Sequence, residues 1–516
     1  MKVTKAFIFF PLPVFLFIIT IISCSPSHEK QSKEPRVYSS YRDIPGVTAL
    51  EIEEIENLKN NKKEFILGMI PSTEAFVSAD GEIRGYFALF GEWASELFGI
   101  KFVPKHYSWI GLLDGLASGE IDFTGDLTPN DDRRKTYIMT GAIAQRSLKY
   151  IRLENNTPLA EIRNTRLPRY ILQEKTTIVS DVWRYASGTF EPVYITEYEE
   201  VYDLLKSGKA DALITESVQE AFWDNHDDII VKDFFPLIYS PVSLTTQNHE
   251  LSAIISVVQK LLDSEGINVF NELSELGYNE YYKHKLSLKL TDEERNYIKL
   301  NPIVPLVAEY DNYPVSFYSE HNHEWQGISF DVLKEIEFLT GLKFLVVNKN
   351  QTDFQDLFDM LEEGKAHIIT ELVSTPEREG RFIWPRQSFM TETSVLVSRM
   401  DYRKVYIEKV YSEKIGLSKG TAHTEYFLTW FPNHPNTIMF DTQGETFEAL
   451  VQGKVDLMMT SYSTLLYLTN YMELPGFKAN IMFDSHYESS FGINKNIPLL
   501  CSVIDKSLKL IDTHAI

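Results

Sequence analysis

The sequence predicts an α/β protein built from two tandem copies of one domain. Apolar stretches of strand type alternate with amphipathic stretches of helix type, a pattern that favours helices packed on largely parallel sheets. The chain has 516 residues, 44% of them hydrophobic, which is enough for more than one core at about 150 residues per domain. An internal repeat divides this material into two related parts.

The repeat is visible in three pairs of segments that keep their spacing. GEIRGYFALFGEWASELFGIKF matches HEWQGISFDVLKEIEFLTGLKF, with 17 residues between the same glycine and phenylalanine in each. LASGEIDFTGDLTPNDDRR matches LEEGKAHIITELVSTPERE, and LLKSGKADALITES matches ALVQGKVDLMMTSY. The interval from Arg133 to Gly208 is 75 residues, as is that from Arg378 to Gly453. This agreement indicates a duplication with a period near 245 residues.

Helix signals mark the joints of the chain. ALFGEWASELFG and FDVLKEIEFLTG have helical spacing, end at glycine and are followed by the strand-like IKFVP and LKFLVV. Thr48 and Glu51 form a capping box before the first copy, and Thr291 and Glu294 form another in LTDEERNYIKLNP, where Pro302 ends a short linker helix. We therefore predict a first domain at 44–286, a linker helix at 287–302 and a second domain at 303–516.

The N-terminus has the features of an export signal. Lys2 and Lys5 precede an apolar run that ends in IISC, which resembles the lipobox of bacterial lipoproteins, in which the cysteine, here Cys24, is acylated after cleavage. We predict a signal peptide at 1–23 and a polar tether at 24–43. An uncleaved signal anchor is the alternative, because 18 residues just span a bilayer. Both interpretations place the remaining chain on the outer side of the membrane, and the first anchors it there by lipid.

Charge and motif content argue against several classes of protein. The formal net charge of -23 opposes binding to phosphate backbones, so we expect no nucleic-acid partner. Cys501 is the one cysteine besides Cys24, so acylation of Cys24 leaves no pair for an intramolecular disulfide. G-x-x-x-x-G-K-[ST], H-E-x-x-H and C-x-x-C do not occur, and we predict no enzymatic activity, cofactor or metal site.

The repeated glycines, the turns that lead to Arg133 and Arg378, and the two G-K-(A/V)-D segments together resemble the type II periplasmic solute-binding fold. The subfamily is family 3, which binds amino acids and other polar solutes. The tandem arrangement is similar to the paired Venus-flytrap sensor regions of bacterial signalling receptors. This resemblance runs from about Ile44 to the C-terminus. It implies two bilobal domains, each with a ligand cleft at strand ends and helix N-termini.

The resemblance implies that an arginine after the turn binds a ligand carboxylate. A guanidinium is permanently charged and can hold a carboxylate through two parallel hydrogen bonds. The matching residues are Arg378 in the second copy, with Thr375 as a turn hydroxyl, and Arg133 in the first copy. Thr128 stands five residues before Arg133 instead of three, so Arg134 is a rival. A surface position or an ion pair is the structural alternative for each arginine.

The resemblance also implies an acid eight residues after the glycine of G-K-x-D, where it pairs with a ligand ammonium. Gly208 plus eight is Glu216, which fits, whereas Gly453 plus eight is Ser461, which does not. We therefore expect the second cleft to lack a counter-charge for an amino group. We therefore expect that cleft to bind a carboxylate that has no amine, or to bind no ligand at all.

Aromatic rings and hydroxyls complete the predicted sites. A ring can cover an apolar ligand stem or face an ammonium, although a lone ring is as readily part of a core. The candidate rings are Tyr310, Tyr313 and Phe317 in the second copy, and Phe76 and Trp109 in the first. Thr421 and Thr176, 245 residues apart, match the second-lobe loop that offers hydroxyl and backbone hydrogen bonds to ligand.

These features favour a sensor input module that binds a small carboxylate or amino-acid-like ligand. Closure of a cleft would change the angle between the tandem domains and pass the signal to a transmitter. The alternative is a lipid-anchored receptor that delivers a polar solute to an ABC permease. The chain ends at SLKLIDTHAI, within the predicted last helix of the second copy, so we expect a separated or truncated receptor ectodomain.

Overall fold

A computed structural model describes residues 38–513 and 515–516, except for the side chains of residues 265 and 266. The predicted signal peptide and Cys24 lie outside the described residues. The described part forms two α/β domains in tandem, each with two lobes, which confirms the predicted fold class.

The helices of the first domain are α1 (Ala49–Asn61), α2 (Tyr86–Phe98), α3 (Trp109–Ser118), α4 (Leu159–Arg163), α5 (Thr177–Ala186), α6 (Val201–Lys206), α7 (Ser252–Leu261) and α8 (Ile267–Lys289). Its strands are β1 (Glu64–Met69), β2 (Phe76–Val77), β3 (Ile83–Arg84), β4 (Lys101–His106), β5 (Phe123–Leu127), β6 (Ile138–Leu153), β7 (Arg169–Gln173), β8 (Glu191–Ile195), β9 (Ala212–Glu216), β10 (Ile229–Asp233) and β11 (Tyr239–Thr246).

The long strand β6 joins the two lobes of the first domain. The strand order is β4-β1-β5-β11-β6-β9-β7-β8, with β10 also paired to β6. Residues 138–147 of β6 pair with β11, and residues 148–151 pair with β9. The outer strands of each lobe are parallel, whereas β6 and β11 are antiparallel to their neighbours, so the sheet is mixed. Antiparallel crossing strands are what let the chain pass between lobes and return.

The helices of the linker and the second domain are α9 (Asp292–Leu300), α10 (Ile328–Thr340), α11 (Phe354–Glu362), α12 (Ala422–Trp430), α13 (Gln443–Val451), α14 (Tyr462–Leu466) and α15 (Pro498–Leu508). The strands are β12 (Ile303–Val307), β13 (Asp311–Asn312), β14 (Ser316–Ser319), β15 (Glu324–Gln326), β16 (Lys343–Val346), β17 (Ile368–Ile369), β18 (Phe382–Ile383), β19 (Met390–Arg399), β20 (Ile415–Ser418), β21 (Thr437–Phe440), β22 (Leu457–Ser461), β23 (Phe477–Ser489) and β24 (Gly492–Asn494).

The second domain repeats this arrangement with one sheet per lobe. The first lobe has the order β16-β12-β17-β24-β18, and the second has β21-β20-β22-β19-β23. Equivalent helices also end alike, because Gly99 after α2 and Gly341 after α10 have φ values of 67° and 78°. That left-handed conformation is open to glycine at little cost, which is why both helices stop where the glycines predict.

Helix α8 connects the cores of the two domains. Its Phe270 lies in the core of the first domain, and its Leu286 lies in the core of the second. The helix continues to Lys289, three residues beyond the predicted domain boundary at 286. Helix α9 follows at Asp292. The predicted linker helix is therefore present as α9, and the end of α8 adds a second helix to the connection.

The first domain also begins earlier than the sequence predicts. Tyr41, assigned to the tether at 24–43, is 2% exposed and belongs to the first core. Its hydroxyl donates a hydrogen bond to Glu56 Oε1 over 2.6 Å. The tether prediction is wrong for the end of the segment that contains Tyr41. Its aromatic ring packs in the core, although its neighbours in sequence are polar.

Both predicted capping boxes are present, and the one at α9 allows a stability test. The Thr291 hydroxyl accepts a hydrogen bond from the Glu294 backbone N–H over 3.2 Å, and the Glu294 carboxylate accepts one from the Thr291 N–H over 2.8 Å. We expect Thr291→Ala to lower the free energy of unfolding by about 1 kcal/mol, as N-cap losses do. Urea unfolding would measure this. Thr291→Ser, which keeps the hydroxyl, is the control, and an equal loss in both variants would contradict the capping explanation.

Candidate functional site

A cavity of about 420 Å³ lies between the lobes of the first domain. Trp109 at the start of α3 and Asp126 on β5 line it from the first lobe, and Thr176 before α5 and Glu216 at the end of β9 line it from the second. Strand ends and helix N-termini therefore meet at this cavity, as the resemblance implies. Trp109, Thr176, Glu216 and Arg133 are brought together as predicted.

Arg133, and not its rival Arg134, faces this cavity. The guanidinium of Arg133 donates from Nη1 to the Thr128 carbonyl over 3.0 Å and lies 5.7 Å from the centre of the Trp109 ring. Burial lowers its pKa, and Glu216 acts in the opposite direction. Arg134 instead donates to the carbonyls of Met139 and Thr140, which places its charge against the backbone of β6.

A second arginine of the first cavity, Arg146 on β6, was missed by the sequence reasoning. It is 2% exposed and pairs with three carboxylates: Glu74 at 2.6 Å, Asp126 at 2.7 Å and Glu216 at 2.9 Å. Burial by itself would lower the pKa of Arg146, but the three carboxylates raise it well above its usual value. The guanidinium therefore forms one ionic network that spans both lobes.

Glu216 is consequently not a free partner for a ligand ammonium. Its Oε2 accepts from Arg146, and its Oε1 accepts from the Ser240 hydroxyl over 2.7 Å. In the structure described here this acid is paired within the chain, and its pairing with a ligand ammonium stays a prediction. Counting residues from a glycine could not show this, since Arg146 is 70 residues away from Glu216 in sequence.

The second domain has an equivalent cavity of about 470 Å³. Glu371 after β17 and Arg378 line it from the first lobe, and Thr421 before α12 and Ser461 line it from the second. Glu392 on β19, a strand that corresponds to β6, lines the side between the lobes. Arg378 and Thr421 thus lie at the predicted cleft.

Arg378 is already neutralised by an acid of the opposite lobe. It is 3% exposed, and its Nη2 lies 2.7 Å from Glu425 Oε1. It also donates to the carbonyls of Val373 and Gly420 over 3.0 and 3.1 Å. The ion pair that we gave as the structural alternative is therefore present, and binding of a ligand carboxylate by Arg378 stays a prediction. Thr375 lies in the preceding turn, where its carbonyl accepts from the Arg378 N–H over 3.0 Å.

Three glutamates face the second cavity, which overturns the expectation that it lacks a counter-charge. They are Glu309, Glu371 and Glu392. Burial raises the pKa of each, to about 7 for Glu392, and the neighbouring Glu371 raises that of Glu309 further. Asn312 donates hydrogen bonds to both Glu309 and Glu371. The alignment of FTGDL with IITEL contained one signal, because it sets Glu371 opposite Asp126.

The crossing strands of the two domains carry opposite charges at equivalent positions. In β6, the residue that pairs with Glu216 across the sheet lies two positions after Arg146. In β19, the residue that pairs with Ser461 across the sheet lies two positions after Glu392. Since Glu216 and Ser461 are themselves 245 residues apart in the repeat, Arg146 and Glu392 are counterparts. The first cavity has a built-in guanidinium where the second has a carboxylate.

Most of the candidate aromatic rings do not line the two cavities. Tyr313 stacks on Phe317 at 4.3 Å and on Tyr467 of the second lobe at 4.5 Å, so these rings close the lobes against each other and do not line the cavity around Arg378. Tyr310 lines a neighbouring cavity. Phe76 lies 4.6 Å from the ring of His284 on α8, and this packing corrects its assignment to the first cleft.

The two candidate threonines are the N-caps of α5 and α12. Thr421 is the N-cap of α12 and accepts from the Thr424 N–H over 3.3 Å. Thr176 precedes α5 and donates to the Gln173 carbonyl over 2.8 Å. Both therefore place a helix N-terminus, with its unpaired N–H groups, beside a cavity.

Two bilobal α/β domains, each with a polar cavity between its lobes, define the class of solute-binding proteins that close around a ligand. Residues 305–512 match the family described as bacterial extracellular solute-binding proteins, family 3. The matched residues run from β12 to just beyond α15 and so lie within the second domain. Across the described residues, we find no helix whose length and apolar character would let it cross a membrane.

Solved structures similar to this chain match it over its whole length or over one domain. The structure described as VC protein is 18% identical, covers 88% of this chain and 99% of that chain, and has a TM-score of 0.53. The periplasmic domain of BvgS from B. pertussis is 17% identical, with 92% of each chain covered and a TM-score of 0.43. The arginine-binding protein ArgBP from T. maritima is 20% identical, covers 42% of this chain and 92% of that chain, and has a TM-score of 0.37. No curated protein sequence matches the chain significantly.

Proposed function

We propose that the protein is an extracytoplasmic sensor input module in which a small polar solute binds in the second cleft. Closure of the second cleft moves the first domain. A signalling transmitter is the downstream partner. A lipid anchor at Cys24 belongs to the same proposal, as does the absence of catalytic chemistry.

The proposal depends chiefly on buried polar groups that converge on one cavity without partners. Glu392 Oε1 and His423 Nδ1 are buried atoms with no hydrogen-bond partner, and both residues line the second cavity. A buried polar atom without a partner costs about 1–3 kcal/mol. A ligand that supplies the missing hydrogen bonds would recover that free energy, which is the usual basis of a specific small-molecule site.

The packing of α8 supports sensing over simple capture. Tyr281 on α8 donates to Asp224 Oδ2 in the second lobe of the first domain over 2.7 Å, and Lys289 pairs with Asp227 there at 2.7 Å. Leu286, between them, is in the core of the second domain. Lys506 on α15 then pairs with Glu294 on α9 at 2.6 Å. A change of lobe angle in either domain therefore acts on shared helices.

A thermal-shift screen tests the binding step. The purified protein is heated with amino acids, amines and small carboxylates, each at a saturating concentration. At a concentration 100 times its Kd, a ligand adds about 2.7 kcal/mol, which corresponds to a Tm increase of roughly 5–10 °C for a domain of this size. We expect Thr421→Trp, whose ring would fill the second cavity, to abolish this increase.

Thr176→Trp is the matched control, because it places the same ring at the equivalent position of the first cavity. It should leave the Tm increase intact. Loss of the increase only in Thr176→Trp would move the ligand to the first cleft. Failure of every compound to raise the Tm would contradict the proposed binding function.

Hydrogen exchange distinguishes a sensor from a receptor that only delivers solute. With ligand bound in the second cleft, we expect slower exchange at residues 217–227 of the first domain, which contact α8, as well as in the second domain. Changes confined to residues 303–516 would contradict transmission through α8. That result would favour delivery to an ABC permease.

A further inference from the structure

We propose that the second cleft binds an organic cation through its ammonium or guanidinium groups, with Glu309, Glu371 and Glu392 as the recognising carboxylates. The ligand needs no carboxylate of its own. This inference rests on the proposed function of the second cleft and names the chemical class of its ligand.

The first argument is an unpaired acceptor that faces the cavity. Glu392 is 3% exposed and lines the cavity, and its Oε1 has no hydrogen-bond partner. Hydrogen bonds from Ser463 and from the Thr393 backbone reach the same carboxylate, so the group is held in place while one oxygen is left open. A charged donor is the partner that recovers most of the desolvation cost of such an oxygen.

The second argument is that no cation of the described residues forms an ion pair with these acids, although Arg378 is close enough to lower the pKa of Glu309 and Glu371. Arg378 is the arginine of the cavity lining, and it is paired with Glu425. Burial, with a further contribution from Arg378, lowers the pKa of His423 to about 4, so this ring is neutral near pH 7. Three acidic side chains with raised pKa values therefore face the cavity, and a bound cation would favour the ionised form of each.

The first domain shows what completes such a cluster. There, Glu74, Asp126 and Glu216 surround the guanidinium of Arg146 at 2.6–2.9 Å. Its counterpart in the second domain is Glu392, so the same fold has exchanged its internal cation for a further acid. We infer that the ligand takes the place that Arg146 fills in the first domain.

Shape and geometry favour an organic cation. Within the part of the chain that the structure describes, no three His, Cys, Asp or Glu residues are arranged to hold a metal ion. The cavity is lined by both polar and aromatic side chains, as small-molecule sites are. Phe354 and Tyr487 are among them, and such rings can cover the apolar stem of an amine or face its charge.

Pairs of solutes that differ only in a carboxylate provide the test. Isothermal titration of the full protein compares agmatine with arginine and cadaverine with lysine. We expect each amine to bind at least as tightly as its amino acid. Glu392→Gln should weaken binding by about 10- to 100-fold, the equivalent of one charge-assisted hydrogen bond. Glu488→Gln, an exposed glutamate on β23, is the matched control and should bind like the wild type.

The outcomes separate this inference from the proposed function. Amino acids that bind 10-fold tighter than their amines would show that a ligand carboxylate is recognised and would overturn the cation proposal, while the second cleft would still be a ligand site. Binding of only neutral or anionic solutes, or an equal affinity in wild type and Glu392→Gln, would overturn it in the same way. If no solute of any charge binds, both proposals fail.

Discussion

Replacing Arg146 with methionine should destabilise the first domain by about 3–5 kcal/mol, the usual cost of removing one partner from a buried ionic network. Arg146 is 2% exposed and holds Glu74, Asp126 and Glu216, which would be left close together without a cation. Methionine retains much of the apolar stem, so the loss reports mainly on charge. Urea unfolding followed by circular dichroism would measure the change in free energy.

An exposed arginine serves as the control for this substitution. Arg84 pairs with Asp80 at 2.8 Å, with 46% and 55% of their side chains exposed. Solvent screens such a pair, so Arg84→Met should change the free energy of unfolding far less than Arg146→Met. Equal effects of Arg84→Met and Arg146→Met would mean that the buried network does not hold the lobes together.

Gly277→Ala should also destabilise the protein, by about 1–3 kcal/mol. Gly277 lies on α8, and a Cβ there would be 2.3 Å from the backbone nitrogen of Tyr86 at the start of α2. Backbone atoms cannot move aside as a side chain can, so α8 would have to separate from α2. The substitution should therefore also weaken the contact between domains that α8 provides, which hydrogen exchange along α8 would detect.

A second helical glycine gives the opposite expectation. At Gly444 in α13, a Cβ would meet only the Thr442 hydroxyl, at 3.8 Å. Gly444→Ala should leave stability unchanged or raise it by up to about 1 kcal/mol, because alanine is the better helix former. If Gly277→Ala stabilises the protein as Gly444→Ala does, the close packing of α8 on α2 is not present in solution.

The site was only partly accessible to reasoning from sequence. Arg133, Trp109, Thr176 and Glu216 do line the first cavity, because repeat spacing places equivalent residues at equivalent strand ends. Phe76 does not, since its ring packs on α8. An aromatic residue has the same appearance in a sequence whether it faces a cleft or a helix, and only packing separates the two cases.

The charge of the second cleft was the largest error. The sequence has Ser461 where the resemblance implies an acid, but that one position does not determine the charge of the cleft. Glu309, Glu371 and Glu392 come from three separate elements of the first lobe and the crossing strand. Their convergence depends on how β12, β17 and β19 are arranged in space, which no single motif contains.

The sequence by itself determined the tandem α/β architecture, the ends of α2 and α10 and both capping boxes. These follow from periodicity, glycine conformation and local hydrogen bonds, which act between residues near one another in the chain. Only the tertiary structure decided that Arg146 completes the first cavity and that Arg378 is paired with Glu425, 47 residues away in sequence. Ion pairing depends on the distance between charges and on their burial, so it is decided by how the lobes pack in the folded protein.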